Sequence, residues 1–162
     1  DKEMANVLSG HDCSIILMAN GISGRLRTAE KDRKDIEDMG EVMNTLEESI
    51  NICKQNGISL NRVAIDPGIG FGRDAEGDVK ALANLNELNE INLPICLGVS
   101  RKSFIGKTIG VKDPSERLPG SLAATGFALM NCSADIVRTH DPKETFQFVR
   151  MMELIQDYEG SK

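Results

Sequence analysis

Four short apolar runs alternate with longer segments of helical period, and this alternation restricts the fold more than any single residue does. The runs are Cys13–Met18, Arg62–Asp66, Ile95–Val99 and Ala134–Arg138. Strands with nearly continuous apolar character are buried on both faces, the habit of parallel sheets covered by helices. The segments between them fit that role. From about Glu30 to Asn56 the residues Ile36, Met39, Val42, Met43, Leu46, Ile50 and Cys53 recur every three or four positions, the stripe of one helix face. Gly57 is placed to end that helix as its C′ residue. Further helices are predicted over Asp78–Glu90, with Val79, Leu82, Leu85 and Leu88 on one side, over Pro119–Asn131, and over Lys143–Asp157. Asp141 and Pro142 read as N-cap and N1 of the last one. Asn20–Arg27 and Ser100–Gly110 read as loops, the second with about one helical turn. The chain therefore offers four β-α units. They suit either an open, doubly wound parallel sheet or part of an eight-stranded (β/α)8 barrel.

Bulk composition sets the outer limits. The 162 residues amount to about one domain, and 40% hydrophobic with 27% charged residues describes a globular chain. A net charge of −6 argues against a general nucleic-acid or anionic-membrane binder, though a local basic cluster could still hold a small anion. No signal peptide is evident, and no apolar run approaches the roughly 18 residues of a membrane span. The four cysteines, Cys13, Cys53, Cys96 and Cys132, form no C-x-x-C pair. They read as reduced thiols in a cytoplasmic protein. The chain starts at Asp1 without an initiator methionine, so a fragment of a longer protein is expected.

Three of the runs end on groups that can be charged, where both candidate architectures gather ligands. Arg62–Asp66 ends on a carboxylate and continues into Pro67-Gly-Ile-Gly-Phe-Gly72. Asp66 could take the two parallel N–H donors of an amidine-like edge, or cap the glycine turn. Spacing of the glycines is G-x-G-x-G with no helix opening on the last, so it is not a dinucleotide fingerprint. Phe71 could stack on a flat ligand or simply pack. Ile95–Val99 leads into Ser100-Arg-Lys-Ser103, a basic pair that is either a solvated face or part of a site. Arg138 and His140, two residues apart at the end of the last run, could share one space and suit a phosphate or pyrophosphate. Alternatively Arg138 pairs with a core carboxylate and His140 caps a helix. His140 lacks a second histidine or thiolate nearby that would make it a metal ligand, and His11 reads as exposed.

Four motifs in series, Ile65-Asp-Pro-Gly-Ile-Gly-Phe-Gly72, Gly98-Val-Ser-Arg-Lys-Ser-Phe-Ile-Gly106, Glu116-Arg-Leu-Pro-Gly-Ser-Leu-Ala-Ala124 and Ile136-Val-Arg-Thr-His-Asp141, resemble dihydropteroate synthase in order and spacing. The resemblance covers most of Ser14 to Leu154. It implies the C-terminal half, about four β-α units, of a (β/α)8 barrel, with 1–162 as the C-terminal portion of a pterin-binding domain. It implies condensation of a dihydropterin methyl pyrophosphate with p-aminobenzoate, or a related arylamine, in folate biosynthesis. By the same resemblance Asp66 holds the pterin's N3–H and 2-amino edge, and Lys102 donates to its oxo group and ring nitrogen. Phe71, Gly98 and Met18 shape the pterin slot, Ser103 lies near the aminobenzoate, and Arg138 and His140 hold the pyrophosphate. Lys102, Arg138 and His140 would be the catalytic set. Mg2+ is implied as cofactor, with its ligand outside this chain, and a homodimer is expected. One departure is Ala19, where the family pattern leads to a histidine. The alternatives are a corrinoid-linked, pterin-dependent methyltransferase and a non-catalytic pterin-binding protein.

Overall fold

The computed structural model describes residues 3–20, 39–131 and 133–159. Its elements are α1 (Met4–Ser9), β1 (Ile15–Met18), α2 (Met39–Gln55), β2 (Val63–Asp66), α3 (Ala75–Ala83), β3 (Cys96–Leu97), α4 (Ser103–Ile109), α5 (Leu118–Met130), β4 (Ile136–Val137) and α6 (Pro142–Glu159). Short 3₁₀ segments occupy Leu60–Arg62, Leu85–Ile91 and Pro114–Arg117.

All strand pairing is parallel. β1 and β2 run in register from Ile15 opposite Val63 to Met18 opposite Asp66, and β3 lies on β4 with Cys96 opposite Ile136. A parallel bridge between Ile65 and Ile95 joins the two pairs, with the Ile65 N–H donating to the Pro94 carbonyl at 2.8 Å. Order across the strands is thus β1, β2, β3, β4, the order of the sequence. A doubly wound sheet reverses direction at a switch point, and these four strands contain no reversal. Parallel strands in this order put all their carboxyl ends on one side, so Met18, Asp66, Gly98 and Arg138 share an edge.

Sequence periodicity located the elements but misjudged several limits. The segment expected to be one helix over Asp78–Glu90 is two pieces. Asp74 starts α3 early by accepting the Gly77 N–H at 2.7 Å. Asn84 ends it, its side chain donating to the Lys80 carbonyl at 2.9 Å, and the chain continues as 3₁₀. Val79 is consequently exposed, while Asp78, Ala81 and Leu82 face inward. Ser103–Ile109 is a true helix, ended by Gly110 at φ +76°. β3 is shorter than expected because the Ile95 N–H is taken by the Asp135 carboxylate at 2.8 Å. Of the long first helix, the part before Met39 lies outside the described residues. Its end is as expected: Gly57 has φ +70°, and the N–H groups of Gly57 and Ile58 reach the Lys54 and Cys53 carbonyls, a Schellman motif.

The core runs between α2 and the strands, with Leu46, Ile65, Ile69, Leu85, Leu88 and Leu97 almost fully covered. Every position of β2 is buried. Outer strands are different, since Ile16 on β1 and Ile136 on β4 remain 52% and 43% exposed. On α6, Phe146, Met151, Leu154, Ile155 and Tyr158 are exposed as well. The Arg62 guanidinium donates to the Leu8, His11 and Cys13 carbonyls and so ties the N-terminal segment to β2. Cys53 and Cys96 are buried free thiols, pushed above the ordinary thiol range by burial, and Cys13 is a half-buried free thiol. Cys132 lies outside the described residues. No described helix is long and apolar enough to cross a membrane.

Ile65 sits where the two strand pairs meet and is fully buried. Ile65→Ala is expected to cost about 2–5 kcal/mol, read as a lower urea midpoint with an unchanged slope.

Candidate functional site

Asp66 closes β2 and is 5% exposed. Its Oδ1 accepts the Gly68 N–H at 2.8 Å, and its carbonyl accepts the Ala19 N–H at 2.9 Å. The turn-capping reading holds for one oxygen, and among the described residues Oδ2 has no hydrogen-bond partner. Gly68, Gly70 and Gly72 have φ of +67°, +82° and +87°, a region costly for residues with a side chain. A Cβ on Gly68 would also lie 1.7 Å from the Ala19 carbonyl oxygen, and one on Gly70 would lie 2.7 Å from Lys102 Cδ. The loop thus passes close to the end of β1 and to Lys102. Ala19 is fully buried under it; Gly21–Gly24, which follow, lie outside the described residues. Met18, opposite Asp66 in the ladder, flanks the same edge and is 36% exposed.

The basic pair after β3 divides its labour. Arg101 has φ +56° and is held from three sides. Its Nε donates to Asp141 Oδ2 at 2.9 Å, and its Nη2 contacts Asp141 Oδ1. Its backbone N–H donates to Ser121 Oγ at 2.8 Å, and its carbonyl accepts from Arg117 Nη1 at 3.0 Å. Asp141 holds the N-cap position of α6 as expected, its carbonyl accepting the Thr145 N–H at 2.9 Å, while its side chain grips Arg101, which holds its carboxyl below the usual range. With Arg101 fixed, Lys102 turns the other way. Its Nζ contacts the Ile69 carbonyl and lies 4.4 Å from the centre of the Phe71 ring. Burial pushes the Lys102 ammonium below its ordinary range, and Asp66 opposes that shift.

Gly98 has a specific reason to be glycine: a Cβ there would lie 2.6 Å from Arg138 Nη2. The guanidinium crosses the end of β3 and makes no ion pair among the described residues. The His140 ring stands on Ser100, with Nδ1 3.0 Å from Ser100 Oγ. Ser103 is exposed at the first turn of α4, directly after Lys102, and among the described residues its side chain makes no hydrogen bond to the other candidates. Asp66, Phe71, Gly98, Lys102 and Arg138 come together, with Met18 beside Asp66. His140 adjoins them through Ser100, whereas Ser103 stands apart.

Sequence reasoning missed a buried pair beneath the glycine loop. Arg73 donates from Nη1 to the Gly68 carbonyl at 3.1 Å and from Nη2 to the Pro67 carbonyl at 3.2 Å. It also lies 3.7 Å from Asp78, whose Oδ1 accepts the Gly70 N–H at 2.7 Å. The two side chains are 2% and 3% exposed, and burial raises the Asp78 carboxyl above its usual range. Arg73 Nε is buried without a partner. The available clue was a cation placed directly after a run of glycines whose carbonyls would need donors.

A carboxylate, an ammonium and a guanidinium thus meet at the carboxyl ends of parallel strands, where α/β folds place their ligand sites. Comparison with known proteins narrows the class. A family profile described as "Pterin binding enzyme" matches residues 1–140, and the chain belongs to that family. Dihydropteroate synthase from Clostridium beijerinckii is 36% identical over 155 residues, spanning 96% of this chain and 54% of that protein. The Escherichia coli enzyme is 40% identical over 132 residues, spanning 82% and 46%. A Xanthomonas albilineans dihydropteroate synthase solved with 7,8-dihydropteroate superposes with a TM-score of 0.83 at 29% identity, covering 96% of this chain and 57% of the other. A Clostridium difficile structure solved with pteroic acid gives 0.81 at 34%, covering 96% and 55%. The chain spans about half the length of the curated relatives it matches.

Arg73→Met leaves Asp78 buried without its cation, and the expected loss is about 3–5 kcal/mol by urea unfolding; a loss under about 1 kcal/mol would show that the pair does not hold the loop. Lys102 has a lower proton affinity folded than unfolded, so in that window the unfolded chain binds more protons and stability rises with pH. Wild type should therefore gain stability relative to Lys102→Met between the depressed value and about pH 10.4, the unfolded value. Urea midpoints of both proteins measured across that range give the answer.

Proposed function

We propose that this chain is the C-terminal half of a (β/α)8 barrel, about four β-α units. We further propose that the protein it belongs to is a dihydropteroate synthase-like transferase of folate biosynthesis. It condenses a dihydropterin methyl pyrophosphate with p-aminobenzoate or a related arylamine. Residues 1–162 are then the C-terminal portion of one pterin-binding domain. The observation that carries this reading is the meeting of Asp66 and Lys102, across the Ile69–Phe71 loop, with Arg138 at the same sheet edge. Strand order without reversal supports the barrel over a doubly wound sheet. Exposed apolar side chains on β1, β4 and α6 are what the other half of a barrel, and a second copy in a homodimer, would cover.

In this reading Asp66 accepts from the pterin's N3–H and 2-amino group through a bidentate, charge-assisted contact. Lys102 leaves the Ile69 carbonyl to donate to the oxo group and ring nitrogen. Phe71, Gly98 and Met18 bound the slot, and Ser103 faces the aminobenzoate side. Arg138 and His140 bind the pyrophosphate. Attack by the arylamine nitrogen on the pterin methylene forms a C–N bond as the C–O bond to pyrophosphate breaks, and the amine then loses its proton. Cations on the departing group stabilise the charge that develops there, which is where most of the catalysis arises. A neutral arylamine is nucleophilic enough to need no strong base. Mg2+ is part of the family expectation, with its ligand proposed to lie outside this chain. A cytoplasmic setting accords with the reduced thiols.

Calorimetry with the pterin pyrophosphate tests the reading. Asp66→Asn and Lys102→Ala should each weaken binding by roughly tenfold to a hundredfold, the worth of a charge-assisted hydrogen bond. Unchanged affinity in both variants would sink the proposed site. Binding without product in the presence of p-aminobenzoate would favour the non-catalytic alternative.

A further inference from the structure

We propose that Ser100 is a positioning residue for His140, holding its imidazole in the Nε2–H tautomer so that the outer nitrogen is a hydrogen-bond donor. The proposal rests on the reading of His140 as a pyrophosphate ligand, but the tautomer can be measured without it.

The argument is a proton count around one buried oxygen. Ser100 is 7% exposed, and its Oγ accepts the backbone N–H of His140 at 3.1 Å. That donor is fixed, because an amide N–H cannot accept. The same Oγ lies 3.0 Å from His140 Nδ1 and 3.5 Å from Thr139 Oγ1. A hydroxyl has one proton, and among the described residues these are the two groups it could reach. If Nδ1 carried a proton, the Ser100 proton would be left with the contact at 3.5 Å, beyond a useful O–H···O bond. If Nδ1 is bare, Ser100 donates to it at a good distance.

The neighbouring hydroxyls agree with that direction. Thr139 Oγ1 accepts the Asp141 N–H at 3.0 Å and lies 3.0 Å from the Oγ1 of buried Thr145. Thr139 and Thr145 can therefore bond each other at 3.0 Å, and neither requires the Ser100 proton. Ser100 is left to donate to Nδ1. The proton of the neutral ring then sits on Nε2, the nitrogen turned away from Ser100. There it can meet an anionic oxygen as a donor, where the other tautomer would present a lone pair and repel it.

The test uses the 162-residue chain in a His11→Gln background, so that one imidazole remains. Long-range 1H–15N correlation spectra are recorded with the ring neutral. The expected wild-type pattern is a pyrrole-type Nε2 and a pyridine-type Nδ1. Ser100→Ala should bring both nitrogens to averaged, intermediate shifts, whereas Thr139→Val should leave the pattern unchanged. Titration with inorganic pyrophosphate should show Ser100→Ala binding roughly two- to tenfold more weakly, the range of one neutral hydrogen bond. A wild-type ring protonated at Nδ1 overturns the proposal, and this spectrum decides even if Ser100→Ala does not fold. An Ser100→Ala spectrum identical to wild type overturns it too. If the tautomer responds as stated but the wild type binds neither pyrophosphate nor pterin, Ser100's hold on the ring stands and the functional reading of His140 fails.

Discussion

The glycine loop after β2 makes one turn bond of its own, from the Phe71 N–H to the Gly68 carbonyl at 3.0 Å, and four charged side chains serve its other backbone groups. With three glycines in the left-handed region, its amides and carbonyls point in directions that no ladder or helix can serve. Asp66 takes the Gly68 N–H and Asp78 the Gly70 N–H. Arg73 covers the Pro67 and Gly68 carbonyls, and Lys102 reaches that of Ile69. Two carboxylates and two cations thus surround one turn. Removing either member of the buried Arg73–Asp78 pair would leave a charge with nothing to offset its lost hydration. Arg73 and Asp78 are buried scaffold in this structure, Asp66 gives the loop one oxygen, and Lys102 is held by the Ile69 carbonyl.

That loop reaches the other strand ends because the sheet is parallel and follows the order of the sequence. Each crossover returns the chain to the same side, so residues up to 120 positions apart, Met18 and Arg138 at the two extremes, finish on one edge. The central strand β2 is enclosed, whereas β1 and β4 keep apolar side chains in view of solvent. The architecture is one-sided in its burial as well as in its chemistry, which agrees with a chain spanning about half of its relatives.

Strands were legible because burial on both faces leaves a nearly unbroken apolar run. The strand-end residues Asp66, Lys102 and Arg138 were legible because charge at the end of such a run is conspicuous. Arg73, Asp78 and Ser100 were not, because their partners are backbone groups or a single ring nitrogen, and a sequence does not display where its carbonyls point. Asn84 defeated the periodicity over Asp78–Glu90 by offering the backbone a competing hydrogen bond. Position marked Asp141 correctly as the residue before α6, but not that Arg101, 40 residues earlier, claims its carboxylate. The roles assigned to Met18, Phe71 and Ser103 came from the family pattern, and geometry ties the first two to the loop and leaves the third apart.

The Arg101–Asp141 contact links the segment that carries Lys102 to the segment that carries Arg138 and His140. It is a crossbar between two jaws. One jaw would grip the flat ring and the other the anionic tail, and the bar, braced by Ser121 and Arg117, keeps them at a fixed separation. The site is in this sense a ruler. Under the proposed function, a ligand whose ring and anion are joined by a longer or shorter spacer would satisfy one jaw only, and selectivity for length would come from a residue pair outside both jaws.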